Sequence, residues 1–299
     1  MTNYITFRSN SRLQYYMNFK KWFILTVCAT LLSFTLQAQV PPYTNYEVGG
    51  LVGIGNYFGD INHGYSFKGA RPAVGVFYRY NFGPYVSWKS TLSYTNVSFK
   101  DALSKTVYQQ TRNLDFFTNI FEVSSVMEIG YRPFKAGSKE FRFAPHLFAG
   151  LTLFHFDPKT RYNGRTYSLQ KVGTEGQNQS DFTQREPYAL TQMAIPFGIG
   201  FRYNFSKKWN IGFELGYRKL FTDYLDDVSS IYLDEFILEY LPDADLDDLP
   251  IVALSDRSGE IGSQIGDHTR QRGFANSNDS YMIMGFTLSY TVDKIKCPK

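Results

Sequence analysis

The sequence has few cysteines, few charged residues and no long apolar run. It contains two cysteines in 299 residues, and 19% of its residues are charged. No stretch approaches the ~20 apolar residues that a membrane helix needs, which excludes a helical membrane protein. The formal net charge of +4 is too small to indicate a nucleic-acid partner. No phosphate loop, zinc spacing or nucleotide fingerprint is present, so no cofactor and no metal site is predicted.

The N-terminus has the pattern of an export signal. Lys20 and Lys21 precede an apolar stretch over residues 22–36, and Ala38 stands where signal peptidase would cleave. The apolar stretch is short for a membrane span. We therefore predict a signal peptide over residues 1–38.

The mature chain is predicted to span residues 39–299. Met17 is an alternative start, because residues 1–16 lengthen the basic region beyond the usual size. After cleavage only Cys297 remains, so no intrachain disulfide can form.

A strict alternation of side-chain types is the main feature of the sequence. In the stretch 187–225, two runs carry large apolar residues such as Phe197 and Phe213 on one face, and Gly198, Gly200 and polar residues on the other. A soluble sandwich would cover the apolar face with a second sheet, but its wet face would rarely need so many glycines. In a narrow transmembrane barrel the apolar face meets lipid, and the lumen admits only small and polar side chains.

The same alternation recurs along the whole mature chain. It marks eight strands, at 46–58, 71–82, 85–97, 114–131, 141–156, 281–292 and, as a pair, within 187–225. Short and long connections alternate between them. The sequence therefore predicts an all-β fold, an eight-stranded antiparallel transmembrane β-barrel of the bacterial cell outer membrane, in contact with outer-membrane lipids, with short periplasmic turns and long extracellular loops.

Two further features bear on the predicted barrel. Pro145 and Pro196 fall inside strand patterns, where we expect a bulge or a local break in pairing. Aromatic residues crowd the short-turn end and are expected to form an interfacial girdle. They are Tyr80, Phe82, Tyr85, Trp88, Tyr131, Phe134, Phe141, Phe143, Tyr203, Phe205, Trp209 and Tyr290.

Seven charged residues share the predicted lumen face. They are Glu47, Arg79, Glu122, Glu128, Arg202, Glu214 and Arg218. If Phe205 opposes Trp209, Arg202 opposes Gly212 and lies within reach of Glu214. We interpret the set as ion pairs that fill a closed lumen, and the alternative is a proton or ion conduit.

Two surface regions carry charge of one sign. An acidic insertion at about 226–278 is expected to be a solvated extracellular loop, although its carboxylates could also bind calcium or bridge to lipopolysaccharide. At the other end, five basic residues gather on the periplasmic turns and could contact a periplasmic partner. They are Arg132, Lys135, Lys139, Lys207 and Lys208.

An enzymatic role would need a nucleophile or an acid beside a histidine near the outer rim. His155 lies near that rim, but no serine motif accompanies it. The sequence therefore favours a non-enzymatic protein over a lipid-active barrel enzyme.

Several segments of the mature chain have a distinctive sequence. They are GNYFGDI (55–61), RPAVGVFYRYNF (71–82), RNLDFFTNIFEVS (112–124), LFAGLTLFHFDPK (147–159), VGTEGQ (172–177) and 195–229, which contains FTDYLDDVS. These segments resemble one family, the PorG-like outer-membrane barrels of Bacteroidetes that are associated with the type IX (Por) secretion system. The similarity runs over essentially the whole mature chain except the insertion from Ile231 to about Asp279.

The resemblance implies a non-enzymatic structural or anchoring component of type IX secretion. Its partners would be the periplasmic ring proteins, a PorK-like lipoprotein and a PorN-like protein, and it implies no catalytic residues. An alternative from the residues alone is a small adhesion or envelope-integrity barrel that acts through its extracellular loops.

Overall fold

The computed structural model describes residues 45–177, 185–233, 250–275 and 277–293. In this part of the chain the strands are β1 (Asn45–Phe58), β2 (Arg71–Asn81), β3 (Val86–Lys100), β4 (Asp115–Gly130), β5 (Phe143–His155), β6 (Lys159–Tyr162), β7 (Arg165–Ser168), β8 (Thr191–Asn204), β9 (Trp209–Leu220) and β10 (Ser280–Asp293). The helices are α1 (Val107–Arg112), α2 (Leu169–Val172) and α3 (Ile251–Ser255), with 3₁₀ turns at Asp101–Leu103 and Ser258–Glu260. The predicted signal peptide, residues 1–38, lies outside the described residues.

Eight of the strands form a closed antiparallel barrel. Its order is β1-β2-β3-β4-β5-β8-β9-β10, and β10 returns to pair with β1 from Asp293 opposite Asn45 to Ser280 opposite Phe58. Every barrel strand therefore has two hydrogen-bonded neighbours. The prediction of an eight-stranded antiparallel barrel is confirmed.

The two faces of the barrel wall differ as the alternation predicted. Outward-facing Val52, Ile129 and Phe286 are 68%, 62% and 64% exposed, whereas inward-facing Glu47 is fully buried. An apolar surface that encircles a barrel is far larger than the patches that soluble monomers expose. A closed barrel satisfies all its backbone groups internally and can cross hydrocarbon, and this architecture is that of bacterial outer-membrane barrels. Within the described ranges, no helix is long and apolar enough to cross a membrane.

Connection lengths separate the two ends of the barrel. Short turns at 82–85, 131–142 and 205–208 lie at one end, which we call the turn end. The longer connections, between β1 and β2, β3 and β4, β5 and β8, and β9 and β10, begin and end at the other, which we call the loop end. The alternation of short and long connections follows the sequence prediction.

The long connection between β5 and β8 contains regular structure. β6 and β7 form a hairpin there, and β6 joins β4 through Phe117 opposite Lys159. The turn of this hairpin is Asn163-Gly164, with φ of 47° and 78°. An Asn-Gly pair is a strong signal for such a turn, because both positions need positive φ.

The two prolines behave differently. Pairing between β5 and β8 lapses around Pro196 and resumes in the same register, so the expected local break is confirmed there. Pro145 stays paired with Phe201 and makes no bulge. It lies just beyond the end of the β4–β5 ladder, where Tyr131 N donates to its carbonyl oxygen at 2.9 Å.

Glycines on the lumen face allow the strands to approach closely. Gly53 pairs with Gly285. A Cβ atom at Gly53 would lie 2.0 Å from the carbonyl oxygen of Met284, which no side chain can tolerate. The narrow lumen therefore requires glycine at this position.

Candidate functional site

The centre of the lumen is held by one arginine. Arg79 is 1% exposed, and its guanidinium contacts three carboxylates. Its Nη1 lies 2.9 Å from Glu47 Oε2, its Nε 2.8 Å from Glu128 Oε2, and its Nη2 3.2 Å from Glu214 Oε1. The residues come from β2, β1, β4 and β9, so this cluster ties together strands from all sides of the barrel.

Lys89 belongs to the same network, although the sequence analysis did not single it out. Its ammonium group forms an ion pair with Glu214 and lies 3.9 Å from Glu128 Oε1. The alternation in β3 could have revealed it, because Trp88 faces outward and Lys89 must then face the lumen.

Arg202 has the predicted register but a different partner. It pairs with Gly212 across the β8–β9 ladder as expected. Its Nη1, however, lies 3.3 Å from Glu47 Oε1, and its ion partner is therefore not Glu214. The guanidinium lies over the ring of Phe134 at 4.6 Å, which directs it toward the turn end and away from Glu214.

Phe134 itself was expected in the aromatic girdle, and this expectation was wrong. It is 3% exposed, and its backbone N donates to Pro84 O at 2.8 Å. The turn 131–142 thus folds Phe134 under Arg202 and closes the turn end of the lumen.

A second ion pair lies in the same lumen. Arg218 Nη2 is 2.8 Å from Glu122 Oε1, and Tyr281 donates its hydroxyl to Glu122 Oε2 at 2.6 Å. The structure thus places all seven predicted lumen residues in buried ion pairs. With Lys89 added, four glutamates face four basic side chains, so the lumen charges balance.

A histidine completes the central cluster. In the described part of the chain, Glu128, His146 and Glu214 are the one group of three possible metal ligands whose ligand atoms lie within 4.8 Å of one another. Both carboxylates already contact Arg79 or Lys89. A divalent ion would add two positive charges to a balanced cluster, so the geometry favours ion pairing over metal binding here.

A small cavity lies among the charged residues of the lumen. It is lined by Lys89, Phe148, Glu214 and Arg218 and measures about 20 Å³, which holds about one water molecule. Buried salt bridges and ring contacts surround it, as expected for the interior of an eight-stranded barrel.

We predict that the purified protein does not conduct ions. In planar bilayers its current should remain at leak level, because no continuous water path crosses the cluster around Arg79. A porin reconstituted in the same bilayers serves as the positive control. Discrete conductance steps well above leak would show that the lumen is an ion conduit.

At the loop end, the loops pack into a cap with its own buried charges. Arg112 binds both carboxylate oxygens of Asp101, at 2.7 and 2.8 Å, and donates to the carbonyl oxygen of Arg272. Arg272 Nη1 lies 3.1 Å from Glu175 Oε1. Glu175 also accepts hydrogen bonds from the backbone N of Ser229 and the hydroxyl of Ser230. These contacts join three loops that are distant in sequence.

A group of carboxylates lies under this cap and has few basic neighbours. Tyr57 donates its hydroxyl to Asp226 and lies 3.3 Å from Asp279. Burial, reinforced by neighbouring carboxylates, raises the pKa values of Asp226 and Asp279 well above the ordinary range. Burial and the charges of nearby acidic residues also raise the pKa of Asp223 to about 8. We call Asp60, Asp223, Asp226 and Asp279 the cap acids.

The start of the acidic insertion is buried in this cap, which contradicts the expectation that the insertion is a solvated loop. Asp226 and Asp227, at its start, are 1% and 0% exposed and are not solvated. The part of the insertion that holds most of its acidic residues, 234–249, lies outside the described residues. No three carboxylates of the described cap bring ligand atoms within 4.8 Å of one another, so no preformed three-carboxylate calcium site is seen there.

The segments that carry the family resemblance meet in this cap. GNYFGDI supplies Tyr57 and Asp60, VGTEGQ supplies Glu175, and FTDYLDDVS supplies Asp223 and Asp226. Sequence reasoning identified the segments but not their contacts.

At the turn end, the predicted basic residues come together in part. Gly137 N donates to Asn204 Oδ1 at 3.0 Å, and Asn204 N donates to Arg142 O, so the turn 131–142 is hydrogen-bonded to the end of β8, directly before the turn 205–208. Arg132, Lys135, Lys139, Lys207 and Lys208 are all exposed on these turns. Together with Arg142 they make six basic residues against one carboxylate, Glu140, a net charge of +5 for the three turns.

His155 lies exposed near the loop end of β5. Its Nδ1 is 3.0 Å from the Thr191 hydroxyl, a neighbour that the sequence analysis did not single out. Activation of a hydroxyl nucleophile needs a base that is itself oriented by a third group. Within the described ranges, no carboxylate forms an ion pair with His155.

A family model matches residues 20–236, which is more than half of the chain. The protein belongs to the family described as a domain of unknown function, DUF6089. The match covers every barrel strand except β10, which closes the barrel. Comparison with curated proteins found no significant match.

Solved structures of outer-membrane proteins show a distant similarity to the chain. The attachment invasion locus protein Ail of Yersinia pestis, in complex with the heparin analogue sucrose octasulfate, has 9% identity and a TM-score of 0.36, covering 83% of this chain and 97% of Ail. OprG of Pseudomonas aeruginosa has 8% identity and a TM-score of 0.40, with coverage of 85% and 98%. Neisserial surface protein A has 7% identity and a TM-score of 0.38, with coverage of 81% and 95%. Similarity at this level supports no transfer of function, and the fold assignment rests on the strand register.

Proposed function

We propose that this protein is a non-enzymatic anchor of the outer membrane, and that it holds the periplasmic ring of a type IX secretion machine. The observation that carries the anchoring role is the closed, charge-balanced lumen. A barrel whose lumen is occupied by paired side chains acts through its ends or its lipid-facing wall. The type IX assignment comes from the PorG-like resemblance.

The turn end suits contact with a periplasmic partner. Its three turns carry a net charge of +5, and the turn 131–142 is braced against the end of β8 through Asn204. A braced basic surface favours an acidic partner, because it steers the encounter and costs little ordering entropy on binding. The PorK-like lipoprotein and the PorN-like protein are the partners that the resemblance implies.

Charge reversal at the turn end tests this proposal. We expect the double variant Lys207→Glu, Lys208→Glu to reduce recovery of ring proteins by at least tenfold when the tagged barrel is purified from its native envelope in mild detergent. Reversing two charges turns attraction into repulsion, and like charges in contact cost several kcal/mol. Quantitative mass spectrometry of the co-purified proteins gives the measurement.

A matched control is the double variant Lys68→Glu, Lys105→Glu, which reverses two exposed lysines at the loop end. It should leave ring recovery unchanged. Unchanged recovery with the Lys207 and Lys208 variant, at normal barrel abundance, would contradict the assignment of the turns.

A second candidate function is adhesion or envelope integrity through the loop end. The ordered cap favours it, since its surface has a depression of about 670 Å³ lined by His63, Tyr108, Arg270 and Phe274, among others. This candidate predicts that a variant of the depression itself, Arg270→Glu, impairs attachment or envelope integrity. Secretion would stay normal in that strain and in the Lys207 and Lys208 variant.

A further inference from the structure

A large apolar groove runs across the outer wall of the barrel next to the turn end. It measures about 900 Å³ and crosses β4, β5, β8 and β9. Its lining includes Ile129, Phe143, Leu147, Ile199, Phe201 and Leu215.

The groove has a local cause in the sequence. Pro145 carries a small side chain among large neighbours, and the β4–β5 ladder ends beside it at Gly130 opposite His146. Phe143 and Phe201 stand at one side with their ring centroids 5.8 Å apart. The result is a hollow between aromatic side chains, deep enough to receive a chain of methylene groups.

The basic turns begin where the groove ends. Tyr131 and Phe143 line the groove, and Arg132 and Arg142 are their immediate neighbours in the chain. Arg132 and Lys139 are exposed, and within the described ranges no carboxylate lies within ion-pair distance of either. Aromatic residues settle at the membrane interface, so these basic groups reach the level of lipid headgroups.

We propose that this site binds an anionic phospholipid of the leaflet at the turn end. One acyl chain lies in the groove over Pro145, and the phosphate is bound by Arg132 and Lys139. The apolar groove and the basic turns are separate observations, and one amphipathic ligand with negative charge satisfies both. A zwitterionic lipid would fill the groove but would bring no net negative charge to the basic turns.

The test uses the purified full-length barrel without any partner protein, so its outcome is independent of the proposed secretion role. Native mass spectrometry during titration with phosphatidylglycerol, and separately with phosphatidylcholine, counts the bound lipids. We expect phosphatidylglycerol to bind at least tenfold more tightly. The variant Arg132→Gln, Lys139→Gln should lower the affinity for phosphatidylglycerol by roughly 5-fold for each charge removed. The matched control is Lys68→Gln, Lys105→Gln at the loop end, and it should bind like the unmodified protein.

A groove variant separates a built site from general surface attraction. Ile199→Trp fills the groove, whereas Val52→Trp introduces the same side chain at an outward-facing position of β1, outside the groove. We expect loss of the tight phosphatidylglycerol site only with Ile199→Trp. Equal binding of both lipids, or equal effects of the two tryptophan variants, would overturn the proposal. It would also be overturned if Ile199→Trp leaves phosphatidylglycerol binding intact but releases a lipid-anchored protein from the native envelope.

Discussion

Replacement of Arg79 by methionine is expected to lower the free energy of unfolding of the barrel by about 3–5 kcal/mol. The guanidinium contacts Glu47, Glu128 and Glu214, all of which are buried in the lumen. Its removal leaves three carboxylates with too little positive charge and with no access to water. The cost arises from this uncompensated charge, which far exceeds the loss of packing. Urea unfolding in lipid vesicles, followed by tryptophan fluorescence, measures it.

Two further variants show where the effect comes from. Arg165→Met removes an exposed arginine from the β6–β7 hairpin, and it should change stability by no more than about 0.5 kcal/mol. Adding Glu128→Gln to Arg79→Met should restore part of the lost stability, because it removes one of the unpaired charges. If Arg79→Met unfolds within about 1 kcal/mol of the unmodified barrel, the glutamates are not held as ions by Arg79.

The barrel could be predicted because the alternation that defines each strand lies within a short stretch of sequence. Each strand shows its lipid and lumen faces within a few residues, and the lumen positions of Glu47, Arg79 and Glu128 follow from counting in twos. Lys89 follows from the same count. Its place between outward-facing Trp88 and Ser90 was available in the sequence and was not used.

Ion partners could not be predicted to the same degree. Strand register places the Cα atom of Arg202 opposite Gly212, but the guanidinium lies several bonds away and can point to either end of the barrel. Phe134 decides its direction, and Phe134 belongs to a turn whose path the alternation does not describe. For a long side chain, the strand pattern therefore predicts the face of the barrel wall on which it lies, but not its ion-pair partner.

The cap lay beyond prediction for a different reason. Tyr57 contacts Asp226 across 169 residues, and Arg112 contacts the backbone of Arg272 across 160. No periodicity links such positions. An acidic run without a basic residue is usually solvated, so the burial of Asp226 and Asp227 contradicted the ordinary expectation. Composition alone cannot show which carboxylates a loop folds inward.

Raising the pH from 5 to 9 is expected to loosen the cap and leave the barrel intact. The pKa of Asp223 is about 8 in the folded protein, raised by burial and by nearby acidic groups, against about 3.9 in an unfolded chain. The folded state thus binds this proton more tightly. Its contribution to stability is complete below about pH 4 and is lost as the pH rises through 8.

The neighbouring groups act in the same direction. Burial raises the pKa of Asp227 to about 6. Burial, together with the charges of Asp60 and Asp223, raises the pKa values of Asp226 and Asp279 well above their ordinary range. Arg112 and His63 act on Asp60, Lys219 acts on Asp223, and Arg272 acts on Asp227. Arg112 and Arg272 are already paired with Asp101 and Glu175. Each proton lost at alkaline pH therefore adds charge that few cations offset.

Hydrogen exchange with mass spectrometry measures this loosening segment by segment. After correction for the intrinsic rate, protection of residues 221–230 should fall by roughly tenfold between pH 5 and 9, about 1.4 kcal/mol of local opening free energy. Partial solvent screening of Asp223 keeps the value well below the full pKa shift. Strand β9 serves as the internal reference and should not change.

Asp223→Asn separates titration from other effects of pH. The amide has nearly the shape of the protonated acid and does not ionise, so the pH dependence of residues 221–230 should shrink. Glu186→Gln, an exposed position in the β5–β8 loop, should retain the full dependence. Protection that stays constant or rises toward pH 9 would mean that the cap acids are ionised in the folded protein at neutral pH. The loops would then be held without protonated carboxylates, by the pairs of Arg112 and Arg272 and the hydrogen bonds of Glu175, and the outer surface of the barrel would keep one shape across the pH range of its surroundings.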